Sequence, residues 1–259
     1  MGRDMDFEEL NSLQGIPKMI YDELIKNKKV NTFLKMSNIM AVGRLGYNDH
    51  GKTHAKIVAN NAIKMLKILY KKGIEPSFVK DCKGSFEDSL VITLLGAYLH
   101  DIGNSVHRDI HHLHSAYLAL DIVENILKKY YKEEKAYQMT TEVLHAIYSH
   151  SEGIMGLTIE AGVIAVADGT DMTKGRSRIP ICKKCYDIHS VSAASIERVE
   201  IKEGDEKPIQ IEVILSNEAG IFQIQEVLGE KIKWSGIKNY VSVYARVEKE
   251  KPVFEEITI

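Results

Sequence analysis

Cysteine is scarce in this chain: three residues in 259, an odd number and too few for a disulfide framework. Long apolar runs are missing, since none approaches the roughly 18 to 20 residues needed to cross a bilayer. The opening stretch, MGRDMDFEEL, is charged and lacks the apolar core of a signal peptide. An excess of positive charge is missing too. With 34 Lys and Arg against 36 Asp and Glu, the net charge of -2 excludes a protein that coats nucleic acid, while leaving room for a local basic patch. There is no internal repeat and no low-complexity segment. These absences predict a reduced, cytoplasmic, globular protein with no membrane partner. The length allows one large domain, or a large and a small one, and 44% hydrophobic with 27% charged residues is an ordinary globular balance.

What is present divides by texture. Up to about residue 190 the periodicity is helical. Ile57, Val58, Ala62, Met65, Leu66 and Leu69 recur at three- and four-residue steps until Gly73 ends the run. A second helix carries Leu90, Val91, Leu94, Leu95 and Tyr98 into His100-Asp101, and Gly103 and Asn104 break it. A third carries Leu118, Ile122, Val123, Ile126 and Leu127, and a fourth Met139, Val143, Leu144 and Ile147. "AGVIAVADG" (161–169) is apolar nearly all round, as a helix at the centre of a bundle should be. After residue 195, "SIERVEIKEG", "PIQIEVILS" and "YVSVYARVE" alternate like half-buried strands, and "AGIFQIQEVLGEKI" reads as an amphipathic helix before the last of them. The expectation is a mainly α protein: a helical domain over 1–190 and a small β-β-α-β unit over 191–259.

Histidine is what the chain has in abundance. Residues 96–119, "GAYLHDIGNSVHRDIHHLHSAYLA", hold half of the ten. A metal site needs ligands converging from separate helices, and five segments each offer one: His54, His100 with Asp101, His111, His150 and Asp168. Imidazole with carboxylate suits Mn, Fe, Ni, Co or Zn without a thiolate, and Mg is compatible. Burying a carboxylate unpaired costs several kcal/mol. Asp101 and Asp168, each just beyond an apolar run, therefore need a cation, and neither run contains a Lys or Arg. His107, His112, His114 and His145 are read as structural or solvent-facing.

In their order and local context these segments resemble the HD-domain metal-dependent phosphohydrolases, helical enzymes named for the adjacent His-Asp pair. "HAKIVANNA" (54–62) is similar to the family's opening helix, and "LLGAYLHDIGN" (94–104) to its L-x-H-D-I-G-K signature. "HHLHSAYLA" (111–119) resembles H-x-x-x-G-A with Ser115 in the small-residue place. "AIYSHSEG" (146–153) and "VADGTDMTKGR" (166–176) resemble the segments carrying the fourth histidine and the closing aspartate. The resemblance covers about residues 54–180 and prefers His54 to the neighbouring His50.

The resemblance implies an HD-type bundle of the dinuclear branch, since members lacking the equivalents of His111 and His150 hold one metal. It implies two divalent ions, one held by His54, His100 and Asp168, the other by His111 and His150, with Asp101 bridging. A water activated by both cations would attack phosphorus. The substrate implied is a nucleotide or another small phosphoester, hydrolysed by a phosphohydrolase or phosphodiesterase. One departure stands out: where the family often has a phosphate-binding Lys, this chain has Asn104. Arg108 is the nearest replacement, expected beside Asp101 in catalysis and in substrate binding, with Lys174, Arg176 and Arg178 as a second basic group; a solvated charged loop is the competing reading of that group.

"CKKC" (182–185) with His189 has half the spacing of a zinc site, but without a second pair it reads as a surface turn with free thiols. The rival to an enzyme is a metal-containing sensing module of the same fold, which Asn104 favours; the complete ligand set favours the enzyme. The C-terminal unit, with no His in its alternating strands, is expected to supply no catalytic chemistry and to serve regulation or a homodimer through its sheet edges.

Overall fold

The computed structural model describes residues 7–173 and 188–247. Three N-terminal helices, α1 (Glu8–Asn11), α2 (Gly15–Lys26) and α3 (Lys28–Asn38), lead through a π-helical stretch (Ile39–Arg44) to α4 (Lys52–Lys71). The apolar steps expected along α4 are its buried face, from Ala55 and Val58 to Leu66 and Leu69. It ends where Gly73 and Ile74 turn their N–H groups back to the carbonyls of Tyr70 and Leu69, the reciprocal pair that satisfies a helix C-terminus. After the short α5 (Ser77–Cys82), α6 (Phe86–Leu99) opens on a capping box in which Ser85 and Asp88 each bond the other's backbone N–H. Its residues from Val91 to Leu99 are all buried, because α6 packs against α4, α8 and α9 together. Helices α7 (His111–Leu127), α8 (Glu133–Ser149) and α9 (Ile159–Thr170) complete the bundle.

Glu160, on the first turn of α9, is a charged residue with no exposure. Its carboxylate accepts from the N–H groups of Ser77 and Phe78, at 3.1 Å each, and from Ser89 Oγ at 2.7 Å. One side chain thereby caps α5 and ties it to both central helices.

The rest is a small α+β unit. Helix α10 (Ile188–Ala194) leads into β1 (Ile196–Glu203) and β2 (Ile209–Leu215), and β3 (Val241–Val247) closes the sheet in the order β1-β2-β3. Strands β1 and β2 are antiparallel, with Ile201 opposite Ile211; β2 and β3 are parallel, from Ile209 opposite Val241 to Leu215 opposite Val247. A parallel neighbour requires a crossover. Here it is a continuous helical stretch made of α11 (Ile221–Gln223), a π-helical turn (Ile224–Gly229) and α12 (Glu230–Trp234). Ile209, Ile211, Val213 and Leu215 put one sheet face in the core, while Glu212 on the other face pairs with Lys202 and with Arg246. The unit docks on the bundle through α12 against α9 and β1 against α4, and Gly156 N–H donates to the Trp234 carbonyl at 2.8 Å. Among the described residues, no helix is long and apolar enough to cross a membrane.

Candidate metal centre

Five helices of the bundle end or begin at one point. His54 lies in the first turn of α4, and His100 and Asp101 follow the last residue of α6. His111 is the first residue of α7, His150 follows α8, and Asp168 lies in the last turn of α9. All six are buried.

The turn after Asp101 explains how α7 comes close enough. Residues Ile102–Ser105 form a 3-10 turn, and Gly103 is pressed against the start of α7. A side-chain carbon there would fall 2.2 Å from the His111 carbonyl oxygen and 2.3 Å from Ser115 N, so no larger residue fits. Ser115 Oγ accepts the Gly103 N–H at 2.8 Å, which shows why a small polar residue stands at that place. The close approach carries a backbone cost. Ile110, immediately before His111, has φ of 51°, a left-handed conformation that a β-branched residue rarely adopts.

The imidazoles share one orientation. His54 Nδ1 lies 2.7 Å from Asp171 Oδ2, His100 Nδ1 2.7 Å from the Ala97 carbonyl, His111 Nδ1 3.0 Å from the Arg108 carbonyl, and His150 Nδ1 2.6 Å from the Ile147 carbonyl. A carbonyl or carboxylate oxygen can only accept, so each Nδ1 carries the proton and donates outward. Each Nε2 is turned inward. The Nε2 atoms of His54 and His100 are 3.2 Å apart, and those of His111 and His150 3.1 Å apart. Burial, opposed by Asp101 but reinforced by Arg108 and Lys231, lowers His111 to about 4. Burial together with His100, Lys231 and His111 holds His150 well below the usual imidazole range. Both are neutral at pH 7, and two lone pairs face each other across 3.1 Å. Such a pair is repulsive by itself and becomes favourable around a cation.

Asp101 divides its two oxygens between the pairs. Oδ2 lies 3.3 Å from His54 Nε2 and 3.5 Å from His100 Nε2, whereas Oδ1 lies 3.5 Å from His111 Nε2 and 3.9 Å from His150 Nε2. Burial raises the pKa of Asp101, but His100, His50, His54 and His111 around it hold the carboxyl well below the carboxylate range. Asp168 Oδ1 lies 3.2 Å from His54 Nε2 and 3.7 Å from His100 Nε2. Three groups of these side chains could each hold a metal ion: His54, His100 and Asp101; His100, His150 and Asp168; Asp101, His111 and His150. Nitrogen and carboxylate donors in this number fit first-row divalent ions.

Other histidines fall where a structural role puts them. His107 is exposed, the ring of His112 meets that of Tyr148 edge-on, and His145 Nε2 accepts the Leu157 N–H at 3.0 Å. His50 is buried with Nε2 4.0 Å from Asp101 Oδ2, an outer neighbour of the cluster. Arg108 reaches the site through Asn104: its Nη1 donates to Asn104 Oδ1 at 3.2 Å, and Asn104 Nδ2 donates to Asp101 Oδ1 at 2.8 Å. Lys174, Arg176, Arg178, Cys182 and Cys185, and the side chain of His189, lie outside the described residues.

Two residues at the site were not anticipated. Asp171, three residues past Asp168, orients His54 from behind; the second acid of "ADGTD" was its only signal. The other corrects the expectation that nothing after residue 195 takes part. Lys231 of α12 places Nζ 2.8 Å from Asp168 Oδ2 and donates to the His150 carbonyl at 2.7 Å. It is the cation that the apolar run before Asp168 lacked. Burial raises the pKa of Asp168, but Lys231, with His100 and His54, holds it well below the usual range.

Against known proteins, the model of the HD domain family matches residues 51–173, which span all six of the anticipated side chains. No solved structure matches the chain.

Proposed function

We propose, from the HD domain that this chain carries over residues 51–173, that the protein is a phosphohydrolase or phosphodiesterase acting on a nucleotide or another small phosphoester with two divalent ions. HD domains belong to the metal-dependent phosphohydrolase superfamily. The observation that carries the reading is the splitting of Asp101, one oxygen toward each inward-facing imidazole pair. On this reading His54, His100 and Asp168 would hold one ion and His111 and His150 the other, with Asp101 shared between the two sets. Bound there, the metals supply a water of lowered pKa and a Lewis acid for a phosphoryl oxygen.

The chain's own groups do the rest. The backbone carbonyls behind Nδ1 of His100, His111 and His150, and the Asp171 carboxylate behind that of His54, fix the tautomers so that every Nε2 presents a lone pair. Asn104 spends its amide on Asp101 and so cannot take the phosphate contact of the family's lysine. Arg108, anchored on Asn104, is proposed to take that phosphate contact instead, with Lys174, Arg176 and Arg178 joining it. A cytoplasmic setting and a homodimer belong to the same proposal; the exposed row Leu113, Tyr117 and Leu120 on α7, continued by the exposed Ile110 just before it, supports a self-associating face.

The test is a metal-reconstituted protein assayed on a panel of nucleotides and generic phosphoesters. Turnover that Asp101→Ala abolishes supports the enzyme. Stoichiometric metal with no turnover on any member, in wild type, returns the protein to the sensing reading that Asn104 favours.

A further inference from the structure

Lys231 is buried, and a buried ammonium is costly unless its donors are satisfied. It meets that need with two acceptors on two different elements of the bundle, the Asp168 carboxylate at the end of α9 and the His150 carbonyl at the end of α8. The α9 surface is shaped to receive it. A side-chain carbon at Gly169 would stand 3.2 Å from both Cβ and Cγ of Lys231, so glycine there lets the aliphatic stem lie flat on the helix. On its own element, Lys231 comes directly after the π-helical turn Ile224–Gly229 and Glu230. Such a turn shifts the register of every later side chain, and it occurs often where a residue must be aimed.

The consequence falls on the two oxygens of Asp168. Oδ1 faces His54 and His100, while Oδ2 is held by the ammonium. A carboxylate so held cannot turn both oxygens toward a cation. We propose that Lys231 is a positioning residue of the metal centre, supplied from outside the HD domain, which restricts Asp168 to one inward oxygen and pins the turn that carries His150. The C-terminal unit thus completes the centre rather than merely adjoining it. This inference rests on the reading of the cluster as a metal centre.

Affinity alone is a poor test. Removing a positive charge beside a dication favours binding, while freeing the ligand disfavours it, and the two oppose. The visible absorption of bound cobalt reads ligand number and arrangement directly. Full-length wild type and Lys231→Met are to be loaded with Co2+ and compared, with far-UV circular dichroism confirming the fold. The expected result is that Lys231→Met still binds cobalt but with shifted bands and altered intensity. Lys231→Gln, which keeps an N–H donor, should fall between the two, and it carries the test if the methionine variant does not fold. Superposable spectra for wild type and the folded variant would overturn the positioning role while leaving the metal centre intact. Wild type that takes up no cobalt overturns both.

Discussion

Asp171 Oδ2 stands 2.7 Å from His54 Nδ1, on the side of the ring away from the cluster. Behind a ligand imidazole a carboxylate fixes the tautomer and raises the basicity of the inward nitrogen. Replacing Asp171 by Ala is expected to weaken metal binding by roughly 10- to 100-fold without unfolding the protein. Competition against a chromogenic chelator measures it, and an unchanged binding constant would reduce the contact to packing.

The metal count tests the division of Asp101 between two pairs. Elemental analysis of reconstituted wild type should approach about two ions per chain. His111→Ala should leave one, because it takes away a member of only one of the two proposed sets. Asp101→Ala should lose both. Two ions retained in His111→Ala would remove that histidine from the ligand set.

Acid should unfold the metal-free protein earlier than its carboxylates alone require. His111 has a pKa of about 4 when folded, against an ordinary value of 6.5. Between those values the unfolded chain binds a proton that the folded one refuses, so stability rises with pH there. The contribution is complete above about pH 6.5 and is lost on acidification toward pH 4, up to about 3 kcal/mol. His150, also depressed, acts with the same sign. Asp101 and Asp168 titrate below that window and add their loss at still lower pH. Urea midpoints between pH 8 and pH 4.5 should fall steadily for wild type and less steeply for His111→Gln. Parallel slopes would contradict this.

Glu160 carries a fold prediction remote from the chemistry. Glu160→Ala would strand the amides of Ser77 and Phe78 and the Ser89 hydroxyl, costing about 3 kcal/mol at one or more kcal/mol for each buried unpaired group. Glu160→Gln keeps an acceptor and should cost about 1 kcal/mol. Chemical denaturation distinguishes the two, and equal losses would show that charge, rather than acceptance, is what the site uses.

The bundle was legible because period 3.6 is local information. The apolar steps of α4 and the all-round apolar runs of α6 and α9 state which faces are buried before any partner is known. The strands of the C-terminal unit were legible for the same reason at period two. Their pairing was not: nothing in "YVSVYARVE" says that it lies parallel to "PIQIEVILS" rather than beside β1, since that depends on where the crossover helix packs.

By itself the sequence determined the residue types available for metal chemistry and their order along five helical segments, because each candidate side chain lies in or beside a helix terminus whose own apolar periodicity marks it. Only the tertiary structure decided how those termini meet. The inward direction of each Nε2 follows from the acceptor behind its ring, a backbone carbonyl for His100, His111 and His150 and the Asp171 carboxylate for His54, and the sharing of Asp101 follows from Gly103 admitting α7. Lys231 had no sequence signature at all. It lies 63 residues past Asp168 in a segment of different texture, and its role arises only because α12 docks on α9. A charge buried by docking is a property of two surfaces together, and neither surface shows it alone.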